Sequence, residues 1–303
     1  ADALASGIAV PDLNWVGKIV EGLYGAIGNY GWTVVLFTVI LKVITLPLDF
    51  WQRCSAKKNA KKMEQMKPML AKIDKAYGEN KKGAQAEKQK LMKKFGYSMF
   101  SSCLPMIVTL VIFVIMFSGL TSYTTHANVQ QYNELVNSYH YAIIVSADEN
   151  GIEVPENLRF ALDGKYKSGT WTEENETALS AFKNQIIEGV KTGEISDEKY
   201  NAILEGAKPY VDEFAYENRE SFLWIKNIWR PDTWESVMPS YNDFINGTIG
   251  VAGISEADKV KVDSGEYQII YDAVAKGELS GGYAGEAWNG LLILPILSAL
   301  LSF

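Results

Sequence analysis

The chain has 303 residues, with 29 Lys+Arg against 36 Asp+Glu and a formal net charge of −7. Its mean hydropathy of −0.05 is that of an ordinary soluble protein, but the distribution excludes a purely soluble reading. No charged residue occurs in 22–41, 95–133 or 287–303, and a membrane crossing needs about 20 apolar residues, which two of these runs supply.

The charges between the apolar runs are equally uneven. Residues 51–98 hold 14 Lys+Arg and 4 Asp+Glu, whereas 124–286 hold 13 and 28. Basic loops beside spans stay in the cytoplasm, so 51–98 reads as inside and 124–286, one span away, as outside. Cys54 and Cys103 both fall at the inner ends of the spans, in a reducing compartment, so no disulfide framework is expected. The chain begins at Ala1 without a Met, as after removal of a leader or trimming of a longer sequence. It stops inside a 17-residue apolar run, as a fragment ending in a third span would.

Taken in order, residues 1–30 form an N-terminal tail and an amphipathic helix at the membrane surface. Trp15, Val16, Ile19, Val20, Leu23, Tyr24 and Ile27 recur at helical steps, with Asn14, Lys18 and Glu21 on the other face. The first transmembrane helix covers 31–51, with Trp32 and Trp51 as interfacial anchors and Pro47 near its inner end. A basic helical hairpin follows at 52–98, built from helices at 53–77 and 83–95 joined near 78–83. In its first helix Met63, Met66, Leu70, Ile73 and Tyr77 step by three and four, a coiled-coil-like seam bent or broken by Pro68.

The second transmembrane helix covers 99–122, with Pro105 in its first turns. The acidic domain at 123–286 reads as mostly helical. Thr172 stands before a helix at 173–191, Ser196 before one at 197–207, and Pro209 at the head of another at 210–221. Further helices are expected at 232–245 and 265–279, and a turn-rich stretch with a short hairpin at 143–171. It carries His140 but no cysteine and no phosphate loop. Residues 287–303 begin a third span. The fold class is therefore an all-α membrane protein with two full transmembrane helices, part of a third, a cytoplasmic helical hairpin and a mostly helical extracellular domain.

Lys42 is the most informative residue. Either interface lies about 14–16 Å away along the helix axis, further than a lysine stem reaches. Thr38, Lys42, Thr45 and Asp49 are spaced by four, three and four, so they share one stripe of an otherwise apolar helix. Intramembrane charges are costly and default to a functional reading. Alternatives are a snorkelling lysine or a pair with a carboxylate on another helix. Asp49, seven residues on, reads as too distant for a tight pair. Met63, Met66 and Met69, flanked by Lys61 and Lys62, form a second signal: flexible thioethers suit surfaces that take varied apolar partners. The plain alternative is that they pack the hairpin while its lysines face water and anionic lipid.

The stretch from Gly31-Trp-Thr-Val-Val-Leu to Thr45-Leu-Pro-Leu48 resembles the first conserved span of the YidC/Oxa/Alb family of membrane protein insertases. So do the lysine-rich hairpin with Met66-Lys-Pro-Met69 and Ser101-Ser-Cys-Leu-Pro-Met106 at the entry to the second span. Ser221-Phe-Leu-Trp-Ile-Lys-Asn-Ile-Trp-Arg-Pro-Asp232 and Asn289-Gly-Leu-Leu-Ile-Leu-Pro-Ile296 resemble the family's segments before and at its third span.

The resemblance implies a protein of the bacterial cell membrane with its N-terminus outside. It implies a hydrophilic groove within the bilayer, open to cytoplasm and lipid, whose positive residue on the first span matches Lys42. Thr38, Thr45 and Thr109 join it as groove contacts. The hairpin, through Met63, Met66, Met69, Lys61 and Lys62, would contact substrate and partners. Those implied are nascent membrane proteins, the Sec translocon, the signal recognition particle receptor, the ribosome and membrane lipids, with no DNA. No covalent chemistry, cofactor or metal is expected. The family's usual residue at the Lys42 position is arginine, so lysine keeps the charge and loses the bidentate fork. The domain between spans two and three is also far longer than the family's usual segment there. Competing classes are a channel or transporter subunit with Lys42 as an anion site, and a membrane-anchored adhesion or sensor protein acting through 123–286.

Overall fold

The computed structural model describes residues 8–78, 80–97, 99–163, 172–223, 225, 238–246, 254–280 and 293–302. Among them every regular element is a helix, and one isolated bridge joins Phe222 to Ile225. In order these are α1 (Trp15–Ile27), α2 (Tyr30–Tyr77), α3 (Lys81–Lys94), α4 (Met99–Glu149), a 3-10 helix (Glu156–Asp163), α5 (Glu173–Thr192), α6 (Asp197–Glu217), α7 (Tyr241–Asn246), α8 (Glu256–Lys259), α9 (Ser264–Lys276) and α10 (Ile293–Ser302). The chain divides into a smaller unit, Val34–Leu120, and a larger one comprising Ala1–Thr33 and Thr121–Phe303.

Several boundaries differ from those expected of the sequence. The first span and the first hairpin helix are one uninterrupted helix, α2, with Pro47 and Pro68 inside it. Each proline forfeits a single hydrogen bond to the preceding turn, and the bonds on either side carry the helix through. The second span likewise continues to Glu149 as α4. No glycine or proline stands between Gly119 and Gly151, and the apolar pattern simply passes from all-round to one-sided. Residues 143–149, expected as turns, are thus helical, and 150–163 hold a loop and the 3-10 helix without a strand; 164–171 lie outside the described residues. Gly151, at φ +70°, ends α4: its amide bonds to Asp148 and that of Ile152 to Ala147, a glycine-dependent stop.

In the larger unit α6 is likewise one helix with Pro209 inside it, not two. The helix expected at 232–245 is described only as Tyr241–Asn246, and the third-span segment as Ile293–Ser302. The helix starts are where the caps put them. Thr172 accepts from the Asn175 amide at 3.3 Å and Ser196 from the Lys199 amide at 3.2 Å, each satisfying an otherwise orphan first-turn donor.

The larger unit packs around the distal half of α4. Tyr132, Val136, Tyr139, Ile143 and Ile144 face Leu179, Phe182 and Ile186 of α5, Ile203 and Val211 of α6, and Tyr267 and Ile270 of α9. The extended segment after residue 8 is pinned along α4. Asn133 both accepts from the Ile8 amide and donates to its carbonyl, His126 meets the Pro11 carbonyl, and Ser122 accepts from the Asn14 amide.

A charged cluster sits at this core. Glu266 bonds His140 Nε2 at 2.6 Å and Lys183 Nζ at 2.7 Å. Burial works against the Glu266 carboxylate, but its bond to His140 and the charges of His140 and Lys183 prevail and hold its pKa down at about 2. Burial, reinforced by Lys183, holds the His140 imidazole below its usual 6.5. Both native values lie below those of the unfolded chain, so the unfolded state takes up more protons on acidification and stability falls with pH. His140 acts from about pH 6.5 downward and Glu266 between about 4.5 and 2. Chemical denaturation between pH 7.5 and 5 should therefore show this unit weakening in acid. His140→Gln should flatten the upper part of that fall; an unchanged slope would show that the imidazole is not the proton acceptor.

Candidate functional site

The smaller unit contains the two apolar helical segments and the basic hairpin. Along α2, Phe37, Thr45, Asn59 and Met66 are buried, and at 100° per residue they fall on one face. The remainder of the apolar stretch is uncovered: Val35, Leu36, Val39, Val43, Ile44, Leu46 and Phe50 are exposed, as are Leu110, Val111, Phe113, Val114 and Phe117 on α4. Soluble proteins do not leave apolar area of this extent in water. Only 17% and 11% of the most apolar windows of the two helices is buried, whereas the core helix of a soluble protein would be mostly covered. The chain is a membrane-embedded protein whose regular elements, among the described residues, are all helices.

Lys42 lies on this exposed surface, with its side chain 66% accessible, and its Nζ meets Asp49 Oδ2 at 2.6 Å. This corrects the expectation that Asp49 is out of reach. Seven residues are two turns, and helical side chains lean toward the N-terminus, so Asp49 leans back toward Lys42 while the lysine stem stretches forward. Both sit on the same flank of the buried stripe. The other polar groups are satisfied by their own helix: Thr38 donates to the Val34 carbonyl at 2.8 Å and Thr45 to the Lys42 carbonyl at 3.2 Å. A hydroxyl bonded back to its own backbone costs little in an apolar solvent. Thr45 is buried and Thr38 exposed, while Thr109 is half-buried on α4.

The hairpin methionines part company. Met66 is completely buried, Met63 half-buried, and Met69 exposed. Lys61 is exposed, whereas Lys62 is half-buried and donates to the Gly96 carbonyl at 2.5 Å. Lys88 of α3 reaches Asp74 of α2 at 2.5 Å, closing the hairpin across its two arms. Asn59, buried in the same stripe, and the Lys88–Asp74 pair were not read from the sequence. The stripe's regular spacing carried the first; nothing in the spacing marked the second. Cys54 is free and half-buried. The side chains of Ser101, Ser102, Cys103 and Pro105 lie outside the described residues, as do most of 221–232 and the start of 289–296.

The larger unit has a cavity of about 530 Å³ between α4, α5, α6 and α9, walled by Tyr139, Lys183, Tyr200, Glu266 and Ile269. Among the described residues no group of three or more His, Cys, Asp or Glu side chains is arranged to hold a metal ion.

Residues 22–147 match the family model described as 60Kd inner membrane protein. A membrane protein insertase YidC of Caldanaerobacter subterraneus subsp. tengcongensis is 29% identical over 109 residues, covering 36% of this chain and 51% of that protein. A YidC of Nitratidesulfovibrio vulgaris is 32% identical over 119 residues, covering 36% and 21%, and one of Leptospira interrogans is 29% identical over 116 residues, covering 38% and 18%. The matched part thus spans about half the length of the first relative and about a fifth of the others. No solved structure matches the chain. The matched stretch ends at residue 147, inside α4 and ahead of the segments at 221–232 and 289–296. Residues 22–147, which hold α2, the basic hairpin and nearly all of α4, are thus similar to the 60Kd inner membrane protein family and to YidC insertases.

Proposed function

We propose that the protein inserts membrane proteins and helps them fold, using the Lys42–Asp49 pair as a polar foothold within the bilayer. The observation that carries this reading is a charged pair on the side of the apolar stretch of α2, whose other exposed residues between Val34 and Trp51 are apolar but for Thr38. A lone mid-bilayer lysine would be costly to maintain, and its partner lowers that cost. The pair is not sealed in, so an acidic residue in the polar head of an incoming segment can take the place of Asp49 on Lys42. The substrate's polar head is then held at depth while its apolar part partitions into lipid along α2 and α4. Exposed Thr38 and half-buried Thr109 offer further polar contacts in this groove, and buried Thr45 shapes the stripe beside them. No covalent step or cofactor is involved.

In this reading the N-terminus and 123–286 lie outside and the hairpin in the cytoplasm of a bacterium. Its exposed face, with Met69 and Lys61, meets nascent chains and their delivery partners: the ribosome, the signal recognition particle receptor and the Sec translocon. Met63, Met66 and Lys62 act mainly by shaping the hairpin that presents that face.

Site-specific photo-crosslinking tests the proposal. A crosslinker at Val43, exposed one residue from Lys42, should capture a nascent single-span substrate during its insertion by the full-length protein. The same probe at Val260, exposed on the larger unit, should capture none. Equal capture at both sites, or none at Val43, would remove the foothold.

A further inference from the structure

The geometry points to a second lipid contact, in the larger unit: we propose that Leu223, at the tip of a tight turn, enters the headgroup–acyl boundary of the bilayer beside the start of α2. Phe222 and Ile225 exchange both backbone hydrogen bonds, each 2.8 Å long, which closes a minimal turn with Leu223 at its apex. Leu223 has φ +52°, and among the described residues it is the one non-glycine with a positive φ. That conformation brings the Cβ against the backbone and is unfavourable for leucine. The residue is moreover 66% exposed, so the fold recovers little from its side chain in water. A strained backbone that presents a large apolar side chain outward implies a contact not made within the chain.

The surroundings identify the occupant. The Phe222 ring lies over Gly31, where a Cβ would run into it, and stands edge-on to Trp32 with 5.4 Å between ring centres. Asn29 donates to the Ser221 carbonyl at 2.9 Å, and Tyr24 donates to the Glu220 carboxylate. The turn is therefore fastened by four contacts to residues 24–32, where the apolar stretch of α2 begins. Trp32 is itself exposed there, in the place where indole rings settle at a membrane surface. A leucine held beside an interfacial tryptophan faces the same solvent, and that solvent is lipid. The inference rests on α2 crossing the bilayer and not on insertase activity, so either can fail without the other.

The test uses the full-length protein in phosphatidylcholine–phosphatidylglycerol vesicles. With wild-type protein, a phosphatidylcholine carrying a photoactivatable group high on its acyl chain should label the peptide containing Leu223. Leu223→Gly, which suits the backbone and removes the side chain, should lose most of that labelling with unchanged thermal unfolding. In a background of Cys54→Ser and Cys103→Ser, an environment-sensitive fluorophore on Leu223→Cys should be quenched severalfold more by shallow nitroxide lipids than one on Val260→Cys. Quenching at 223 by aqueous iodide as strong as at 260, or wild-type labelling absent from that peptide, would overturn the proposal. So would labelling that appears only when a substrate protein is present.

Discussion

Cells depleted of their own insertase and given the full-length protein with Lys42→Glu will not insert a single-span substrate with an acidic head, whereas Lys42→Arg will restore insertion. Lys42→Ala will fall between them, closer to failure. The charge-assisted bond lost is worth about 1.5–3 kcal/mol, which corresponds to roughly a 10- to 100-fold loss in insertion rate. Lys42→Glu adds repulsion, because the new carboxylate would face Asp49, which Nζ now meets at 2.6 Å.

Folding and function must be separated in this experiment. The exchange of both residues, Lys42→Glu with Asp49→Lys, keeps a pair and should keep the protein abundant. It moves the residue that carries the positive charge two turns along α2, roughly 10 Å at 1.5 Å per residue, and reverses the direction in which the pair points, so insertion should remain low. Pulse-labelled substrate scored for protease protection, alongside immunoblots of the variant, gives both readings. If Lys42→Glu inserts as well as wild type, the foothold is wrong for this protein.

Asp212→Ala should unfold a large part of the larger unit. Asp212 is buried on α6 and accepts from the Leu279 amide at 2.9 Å, the Ser280 amide at 2.7 Å and the Ser280 hydroxyl. It therefore fastens the chain leaving α9 to the middle of α6. Removing it strands the buried Ser280 amide and releases the Leu279 amide, while the Ser280 hydroxyl keeps only the Val274 carbonyl. At about 1–3 kcal/mol for each unsatisfied buried donor, and with α6 and α9 parting company, the expected loss is about 3–5 kcal/mol. Asp212→Asn keeps one acceptor oxygen and should lose roughly half as much. Limited proteolysis of the detergent-solubilised chain should show early cleavage between α6 and α9 in Asp212→Ala, with the hairpin pattern unchanged. Cleavage no faster than wild type would mean that the apolar core alone holds α9.

Helix beginnings were legible because their signals are chemical and local. Thr172 and Ser196 mark their helices by supplying an acceptor that the first turn needs, and no distant residue is required to recognise that. Helix ends and continuations were less legible. Pro209 at the head of a helix and Pro209 within one read alike in sequence. What decides is that Ile203, Ala207 and Val211 all stay buried on one face across it, and burial is a property of the packed unit. The same holds at the junction of span and domain, where the structure fused two expected elements into α4.

At the candidate site the polar stripe was legible from its spacing, and the Lys42–Asp49 contact was not. Spacing gives the distance between backbone positions; the contact depends on a lysine extending along the helix and an aspartate leaning back to meet it. The fate of Met66 was similarly hidden. Its seam position fitted packing and binding equally, and only its complete burial separates it from the exposed Met69.

The pairing of Lys42 with Asp49 has an electrical consequence. Across an energised membrane an unpaired unit charge experiences a force worth about 2.3 kcal/mol per 100 mV over the full thickness, so a lone lysine at depth would be pulled continuously toward one side. Two opposite charges 2.6 Å apart carry no net charge and leave only a small dipole, and the voltage passes over them. At rest, the apolar stretch of α2 is thereby electrically silent, however strongly the cell polarises its membrane.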